Sequence, residues 1–483
     1  MRLQFVSTLV SALSNCRATR FRMPTRFYST TTTPPPPSPR DASTEINFNP
    51  KRVLILTKLS RYEFEKLRHP DLANEHELEQ LLKKRGSDYN TLLYHHYIHK
   101  GCEFRVVKAF QDFGVQTRLV SRFNYTQENI DWADLIVTTG GDGTFLMAAC
   151  RIQDRQKPIV GFNTDPTRSI GYLCLAKKYS INVQDAVNKL FQNKFKWTLR
   201  KRMRITMIGE SVYDSPVELH DQQLSQPEYR FFECLQEAVP TTPLTVGDEQ
   251  FKNSKLKTRT LPVLALNEVY LGECVSARVS YFEVSTDTTP HGERIKTKNA
   301  GICIATGTGS TSWSHNISKI SRQTVQEVLN LVDHELKGDL AAMQANPVLG
   351  QIASMQTSLS NEGMVDKITH AYNQALTFPP ESGKMLYTIR DPVSHSTLPC
   401  ASEIQPRSFA QRMEVKSRCF DACMVIDGGL SFSFNDGTTV IFEMFEEDAL
   451  KTVVELEDDD EEGTRNGGTG GNGGFSHVRS FGI

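Results

Sequence analysis

The chain has 483 residues, 39% of them apolar and 23% charged, with a formal net charge of −1. That composition supplies a full core and fits a soluble globular protein of two or three domains. A charge near zero argues against a nucleic-acid partner, and no run reaches the ~18 apolar residues a membrane helix needs.

The first forty residues stand apart. "MRLQFVSTLVSALSNCRATRFRMPTRFYST" carries Arg2, Arg17, Arg20, Arg22 and Arg26 among many Ser and Thr, and the first acidic residue is Asp41. An Arg-rich, acid-free start is the composition of a mitochondrial import leader. The apolar run from Phe5 to Leu13 also fits a secretory signal, but the arginines after it and ten scattered cysteines without a CxxC pair favour a reducing compartment. "TTTPPPPSPR" is an extended linker. At the other end, "ELEDDDEEGTRNGGTGGNGGFSHVRSFGI" holds too few apolar residues to order itself and is expected to be a disordered tail over 456–483.

Between these ends, "KRVLILTK" predicts a buried strand. "ANEHELEQLLKKRG" and "VVKAFQDFG" predict helices closed by Gly86 and Gly114. "VQTRLV" and "ADLIVTTGG" predict the next strands, with a helix from about Thr144. "KPIVGFN" predicts a fourth strand and "NVQDAVNKLFQNKF" another helix. Short apolar strands alternating with helices imply a parallel α/β domain over 51–195. The pattern then changes. "WTLRKRMRITMIG", "LPVLALNEVYLGE", "ARVSYFEVSTD", "NAGICIATG", "DACMVIDGGLSFSF" and "TTVIFEMF" read as strands with few helices between them. They imply a mainly antiparallel β domain over 196–455. Residues 210–260 read as a polar excursion and 321–375 as a helical insertion. The cysteines read as reduced thiols, several of them in apolar runs.

"TTGGDGTFLMAAC", residues 138–150, carries the chemistry. Gly140, Gly141 and Gly143 occupy the turn at the carboxyl end of a parallel strand, where open α/β sheets bind ligands. Glycine permits close backbone approach, and the first amides of a helix suit phosphate. An Asp there repels phosphate unless it serves the reaction. Asp142 therefore reads as a proton acceptor from an attacking hydroxyl or as a partner of Mg²⁺, against the plainer reading of a helix cap. Gly141, Gly143 and Thr144 would face phosphates. No GxxxxGK[ST], HExxH or HRD occurs, and "GTGSTS" at 307–312 lacks the third glycine of a kinase loop. His95, His96 and His99 fall on a helix-like stretch with no further ligand spaced to join them, so no protein metal site is expected.

"GGDGTFL" resembles the signature of the NAD kinases and, more broadly, the turn of diacylglycerol, sphingosine and 6-phosphofructokinases. Three more stretches narrow the resemblance. "GFNTDPTRSIGYL" (161–173) is similar to the family's G-x-N-x-G-x-L-G-F-L segment with extra residues around Arg168. "LNEVYL" (266–271) resembles its Asn-Glu motif, and "ATGTGSTSWS" (305–314) its T-P-T-G-S-T-A-Y segment. "RSIGYLCL", "MLYTIRDPV" and "SRCFDACMVIDGG" resemble the mitochondrial branch. The departures are Gly307 for proline, Ser312 for alanine, Trp313 for tyrosine, and Ala300 where many members carry an Asp.

The resemblance covers roughly 51–455 and implies a Rossmann-like parallel α/β domain followed by a mainly antiparallel β domain, in the NAD kinase/diacylglycerol kinase-like arrangement. It implies ATP-dependent phosphorylation of the adenosine ribose 2′-hydroxyl of NAD⁺ in the mitochondrial matrix, with Mg²⁺ arriving on ATP, and a homodimer. Asp142 is then the base. Asn267 and Glu268, read as mid-strand, contact the dinucleotide, and Thr308, Gly309, Ser310 and Thr311 offer it hydroxyls and amides. Tyr172 either packs on a base or fills the core. A lipid kinase sharing the GGDG turn and a non-catalytic NAD sensor are the rival readings.

Overall fold

The computed structural model describes residues 48–72, 74–224, 256–290, 293–343, 362–393 and 404–456. The expected leader and linker, the acidic tail, much of the 210–260 excursion and the middle of the 321–375 insertion lie outside the described residues.

The first sheet runs in the order Gln116–Val120, Arg52–Thr57, Leu135–Gly140, Ile159–Asn163, Leu450–Val453, Thr198–Arg200. It is parallel through Leu450–Val453, and Thr198–Arg200 joins antiparallel at the edge. Leu135–Gly140 and Ile159–Asn163 are buried at every position. Strands covered on both faces read as unbroken apolar runs, which is why these two were legible without alternation. Helices begin at side-chain caps: Ser60 with Glu63 in a capping box, Asn74, Asp88 and Thr126. One 24-residue helix, Tyr89–Asp112, carries the three histidines and the predicted "VVKAFQDFG" segment together.

Two antiparallel sheets make up the β region. One is ordered Ile295–Asn299, Ser280–Thr286, Arg412–Ser417, Thr439–Met444, Met203–Gly209, Lys257–Thr260. The other is ordered Arg407–Ala410, Met385–Ile389, Ile302–Ala305, Glu268–Glu273, Ala422–Ile426, Leu430–Ser433, Val217–Glu218. Met203–Gly209 alternates buried and half-buried positions, the period-2 mark of a one-sided sheet. Met203, Ile205, Met207, Val269, Leu271, Phe282, Ile302 and Phe442 share one core. The described parts of the helical insertion, Arg322–Met343 and Glu362–Gln374, pack on one another. The second is anchored by Asn373, which accepts from Ile320 N at 3.0 Å and donates to Ile320 O at 3.1 Å.

Two local expectations change. The helix after the glycine turn starts at Asp142 itself, with Gly141 as its cap, two residues earlier than read. Asn267 precedes the Glu268–Glu273 strand and Glu268 opens it, so the pair lies at a strand start and not in its middle. The amides of residues 266–268 are taken by a carboxylate, described below, and are not free for a ladder.

Several side chains cross between the two regions, among them Arg151 to Glu218 and Gln153 to Pro262 O, and Arg202 is the most buried of them. Arg202 is fully buried. Its Nε donates to Asp448 O at 2.7 Å, and its Nη1 donates to Ala149 O at 2.8 Å and Ile152 O at 2.6 Å. Ala149 ends the helix that Asp142 begins, so the guanidinium meets the negative end of that helix. Asp448 lies just before the strand that returns to the first sheet. Burial lowers the Arg202 pKa to about 10, which still leaves it charged. Arg202→Met fills similar volume but strands these carbonyls. It is expected to destabilise the protein by about 3 kcal/mol or more, read from the urea midpoint. A loss below about 1 kcal/mol would show that the carbonyls find other donors.

Candidate active site

Asp142 is partly buried at the first position of its helix. Both carboxylate oxygens accept backbone N–H groups: Oδ2 from Tyr172 at 3.0 Å and Oδ1 from Leu173 at 2.8 Å. The loop that delivers these amides is shaped by Asn163, whose Nδ2 donates to Ser169 O at 2.9 Å and whose Oδ1 accepts from Asp165 N at 3.1 Å. Gly171 then turns with φ +71°, a conformation that side-chain-bearing residues rarely adopt. A carboxylate offers about four acceptor positions, so two bonds fix its plane and leave acceptor capacity for a ligand. Thr144 is buried, its N–H donates to Gly141 O at 3.0 Å, and its hydroxyl lies against Gly140. Gly141 is half-buried and Gly143 exposed. The Tyr172 ring is 51% exposed, which removes the core-filling option for it.

A second knot forms around Asn267 and Glu268. Asp427, in the turn between Ala422–Ile426 and Leu430–Ser433, accepts from the N–H of Leu266 at 2.8 Å, Asn267 at 2.7 Å and Glu268 at 3.1 Å. It donates its own N–H back to Glu268 O at 2.9 Å. Asp427 and Gly428 both have positive φ, 47° and 66°, which suits the tight hairpin turn of an Asp-Gly pair. The GTGSTS turn packs on the other side. Thr306 N donates to Asn267 O at 2.9 Å, and Ser312 Oγ donates to Glu268 Oε2 at 2.6 Å. A Cβ on Gly309 would overlap the Asn267 carbonyl, so only glycine fits there. The Asn267 side-chain oxygen is buried and has no hydrogen-bond partner, an acceptor held ready for a donor group.

The GTGSTS turn is also covered from outside. Phe378 N donates to Ser310 Oγ at 3.1 Å, and a Cβ on Gly307 would overlap the Pro379 carbonyl. This explains the glycine where relatives of the motif carry proline: the Phe378–Pro380 segment after the helical insertion lies directly on it. At Ala300, Tyr270 binds the backbone and its ring lies against Gly301. Its hydroxyl donates to Ala300 O at 2.5 Å, and its ring lies 5.0 Å from that of Trp313.

The two knots meet. Leu266 packs in the same core as Phe145 and Ala148 of the Asp142 helix. Buried Arg200 donates from Nη1 to Thr308 Oγ1 at 3.2 Å, and the negative charges acting on it are Glu381 and Asp142. Sequence reading missed Arg200, Asp427, Tyr270 and Ser312. The Asp-Gly turn signalled a hairpin, but nothing local in the chain signals that its carboxylate reaches residues 266–268.

The histidines are occupied within the α/β region. His95 Nδ1 lies 2.7 Å from Asp165 Oδ2, and His96 Nδ1 lies 2.8 Å from Ser60 Oγ. His99 lies 3.0 Å from Thr164 Oγ1 and 3.2 Å from Thr57 Oγ1, and burial, with Lys58 and Lys100 nearby, lowers its pKa to about 3. Among the described residues, no group of three or more His, Cys, Asp or Glu is placed to hold a metal.

Burial, with the nearby Asp427 charge adding to it, raises the Glu268 pKa from 4.5 to about 7, although Ser312 opposes the shift. Burial likewise raises Asp427 to about 6 against the three amides it accepts. A folded pKa above the unfolded one means that the folded protein binds this proton more tightly. The stability it contributes is full below about 4.5 and lost as pH rises through about 7. Glu268→Gln keeps an acceptor for Ser312 and removes the titration. Denaturation between pH 4.5 and 8 should show the variant gaining on the parent as pH rises. A difference that stays flat with pH overturns this account of Glu268.

Comparison with known proteins agrees with this geometry. A family model described as ATP-NAD kinase N-terminal domain matches residues 70–196. "NAD kinase 2, mitochondrial" from Rattus norvegicus is 39% identical over 420 residues, covering 86% of this chain and 89% of the rat protein. The protein of the same name from Homo sapiens is 39% identical over 412 residues, covering 84% of this chain and 85% of the human one. A crystal structure of yeast NADH kinase complexed with NADH aligns at 13% identity with a TM-score of 0.42 over 85% of each chain, too remote to add to the assignment. With more than a third of its residues shared along nearly the full length of these relatives, the chain belongs to the NAD kinase family.

Proposed function

We propose that this chain is a mitochondrial NAD⁺ kinase that transfers the terminal phosphoryl group of ATP to the 2′-hydroxyl of the adenosine ribose of NAD⁺, giving NADP⁺ and ADP. The observation that carries this reading is the 39% identity to a mitochondrial NAD kinase 2 over 86% of the chain. The oriented carboxylate of Asp142 supports it, because it gives that chemistry a proton acceptor at the mouth of a helix. The placement of Asn267–Glu268 more than a hundred residues after the GGDG turn separates it from the lipid-kinase reading, in which such a pair follows the turn directly.

In this reading the ribose hydroxyl donates to a free acceptor position of Asp142. As the oxygen–phosphorus bond forms, the hydroxyl proton passes to that carboxylate, the bond from the terminal phosphorus to the bridging oxygen breaks, and ADP leaves. The amides of Tyr172 and Leu173 hold the carboxylate in one plane, so no reorientation is needed at the moment of transfer. The buried Asn267 oxygen and Glu268 face the dinucleotide beside the turn of Thr308, Gly309, Ser310 and Thr311, whose Gly309 and Ser310 amides and Ser310 and Thr311 hydroxyls bond within the turn, so the turn supports the site by its shape more than by free donors. Gly141, Gly143 and Thr144 bring backbone close to phosphate, and the exposed Tyr172 ring is available to stack on a base. Mg²⁺ fits as a companion of ATP, held by phosphate oxygens and water, with Asp142 as the protein oxygen nearest the transfer. It would supply neutralisation of phosphate charge.

Asp142→Asn tests the assignment. The substitution removes proton acceptance, and kcat is expected to fall by about 10²–10⁴ while NAD⁺ affinity changes little. The two amides add a second effect. An Asn has one acceptor oxygen, so one amide will face an NH₂ group, at a cost of about 1–3 kcal/mol in stability. A cap alone predicts that stability loss with near-normal turnover. A purely metal-binding Asp predicts partial rescue by raised Mg²⁺ or Mn²⁺. A non-catalytic sensor predicts no NADP⁺ from the parent chain.

The leader and the homodimer belong to the same reading and share one experiment. The full chain, tagged at its C-terminus and expressed in cells, should be recovered from mitochondria shortened near residues 28–38 and should scatter light as a dimer. Retention of the uncut chain in the cytosol removes the leader, and a monomer mass at micromolar concentration removes the dimer.

A further inference from the structure

Arg200, Lys201 and Arg202 are three successive cations at the seam between the two regions. Two of them are held by strong acceptors, although Arg202 Nη2 is itself buried without a partner. Arg202 lies on backbone carbonyls, and Lys201 pairs with Glu446. Arg200 is 9% exposed, yet its Nε has no hydrogen-bond partner. Its Nη1 meets only a neutral hydroxyl, that of Thr308, at 3.2 Å. The carboxylates that act on it, Glu381 and Asp142, do so through space and not through a hydrogen bond. Glu381 is itself exposed, so it is well solvated and offsets the buried charge weakly. Burying a guanidinium with an unsatisfied N–H is costly, and such a group is retained where an anion completes it. The anion shape that fits a guanidinium edge with two parallel N–H groups is a carboxylate or a phosphate.

We propose that Arg200 binds the phosphoryl group in transit between donor and ribose, with its open Nε edge on the phosphate oxygens and the Thr308 hydroxyl holding the guanidinium in plane. This rests on the reading of the chain as an NAD⁺ kinase. Two features of the site point to the transferred group and not to the dinucleotide's own pyrophosphate. Thr306, two residues before Thr308, donates its hydroxyl to Leu266 O, and Leu266 packs against Phe145 of the helix that Asp142 opens, so Arg200 and its Thr308 partner sit on the seam that Asp142 also borders, within reach of its charge. A carboxylate beside an incoming phosphate also repels it, and a fixed guanidinium offsets that repulsion where charge accumulates during transfer. Thr308 comes from the GTGSTS turn and Arg200 from the edge strand of the first sheet. The clamp therefore closes only when both regions are docked.

NADP⁺ is NAD⁺ plus the transferred group, so the two dinucleotides separate the possibilities. Calorimetric titration of both into the full-chain parent, Arg200→Lys and Arg200→Met is the experiment, with melting temperature and steady-state kinetics measured alongside. Arg200→Met is expected to lose roughly 10- to 100-fold in NADP⁺ affinity, with NAD⁺ affinity held within a few-fold. Its kcat should fall and its KM for NAD⁺ should hold. Arg200→Lys keeps the charge without the fork and should recover part of the NADP⁺ affinity. Equal losses for the two dinucleotides would assign Arg200 to the pyrophosphate and overturn the proposal. A lower melting temperature with both affinities unchanged would make Arg200 a structural residue and overturn it too. Failure of the kinase reading would appear separately, as a parent that forms no NADP⁺ from ATP and NAD⁺.

Discussion

The buried guanidinium of Arg202 is the constraint from which the rest of the architecture follows. It gathers the carbonyls of Ala149, Ile152 and Asp448 around one charge. Each belongs to a different job: the end of the Asp142 helix, the turn after it, and the approach to the strand that returns to the first sheet. Asp448 is itself held by Arg204, with 2.7 Å contacts to both carboxylate oxygens. A helix that carries a functional residue at one end must be fixed at the other. Here the fixing element comes from the β region, through Met203–Gly209 and the residues just before it. The two regions therefore share a site because they share a seam, and the position of Asp142 depends on residues far from it in sequence.

At the site itself, carboxylates organise backbone. Asp142 and Asp427 do the same physical work in different places. Each accepts N–H groups from a segment distant in sequence and so fixes a loop that has no strand or helix to fix it. The environments differ. Asp427 is half-buried as a residue, but its carboxyl group is shut in against three amides and its pKa is pushed up to about 6 by that burial. Asp142 sits at a helix mouth, partly open, with acceptor positions left over. One clasp holds the Asn-Glu pair in register with the GTGSTS turn, and the other fixes the plane of a carboxylate at the mouth of a helix.

The departures from the family pattern are packing consequences. Glycine at 307 accommodates the Phe378–Pro380 segment, which the helical insertion brings onto the turn. Ala300 leaves its carbonyl to the Tyr270 hydroxyl, and Tyr270 in turn lies against Trp313 and over Gly301. The insertion, the glycine and the aromatic pair are therefore parts of one local solution.

Much of this protein was legible from sequence alone. Buried parallel strands need apolar runs, and one-sided antiparallel strands need alternation, so both regions and most of their strands could be read from local pattern. The glycine turn was legible because a helix mouth at a strand end needs residues that allow close approach, and Asp142 stood out as the one charge among them. Tertiary structure decided what depends on pairs far apart in the chain. The return of Leu450–Val453 to the first sheet, the reach of Asp427 to residues 266–268 and the contact of Arg200 with Thr308 span 108 to 293 positions, and no local periodicity encodes them. The same holds for the shift of Asn267 and Glu268 to a strand start: their apolar neighbours spell a strand, but a distant carboxylate has claimed the amides the strand would need. Sequence determines which segments want to be buried and in what geometry. Only the folded chain determines which charge each buried polar group finds, because that choice is made by whichever partner the packing brings within hydrogen-bond reach.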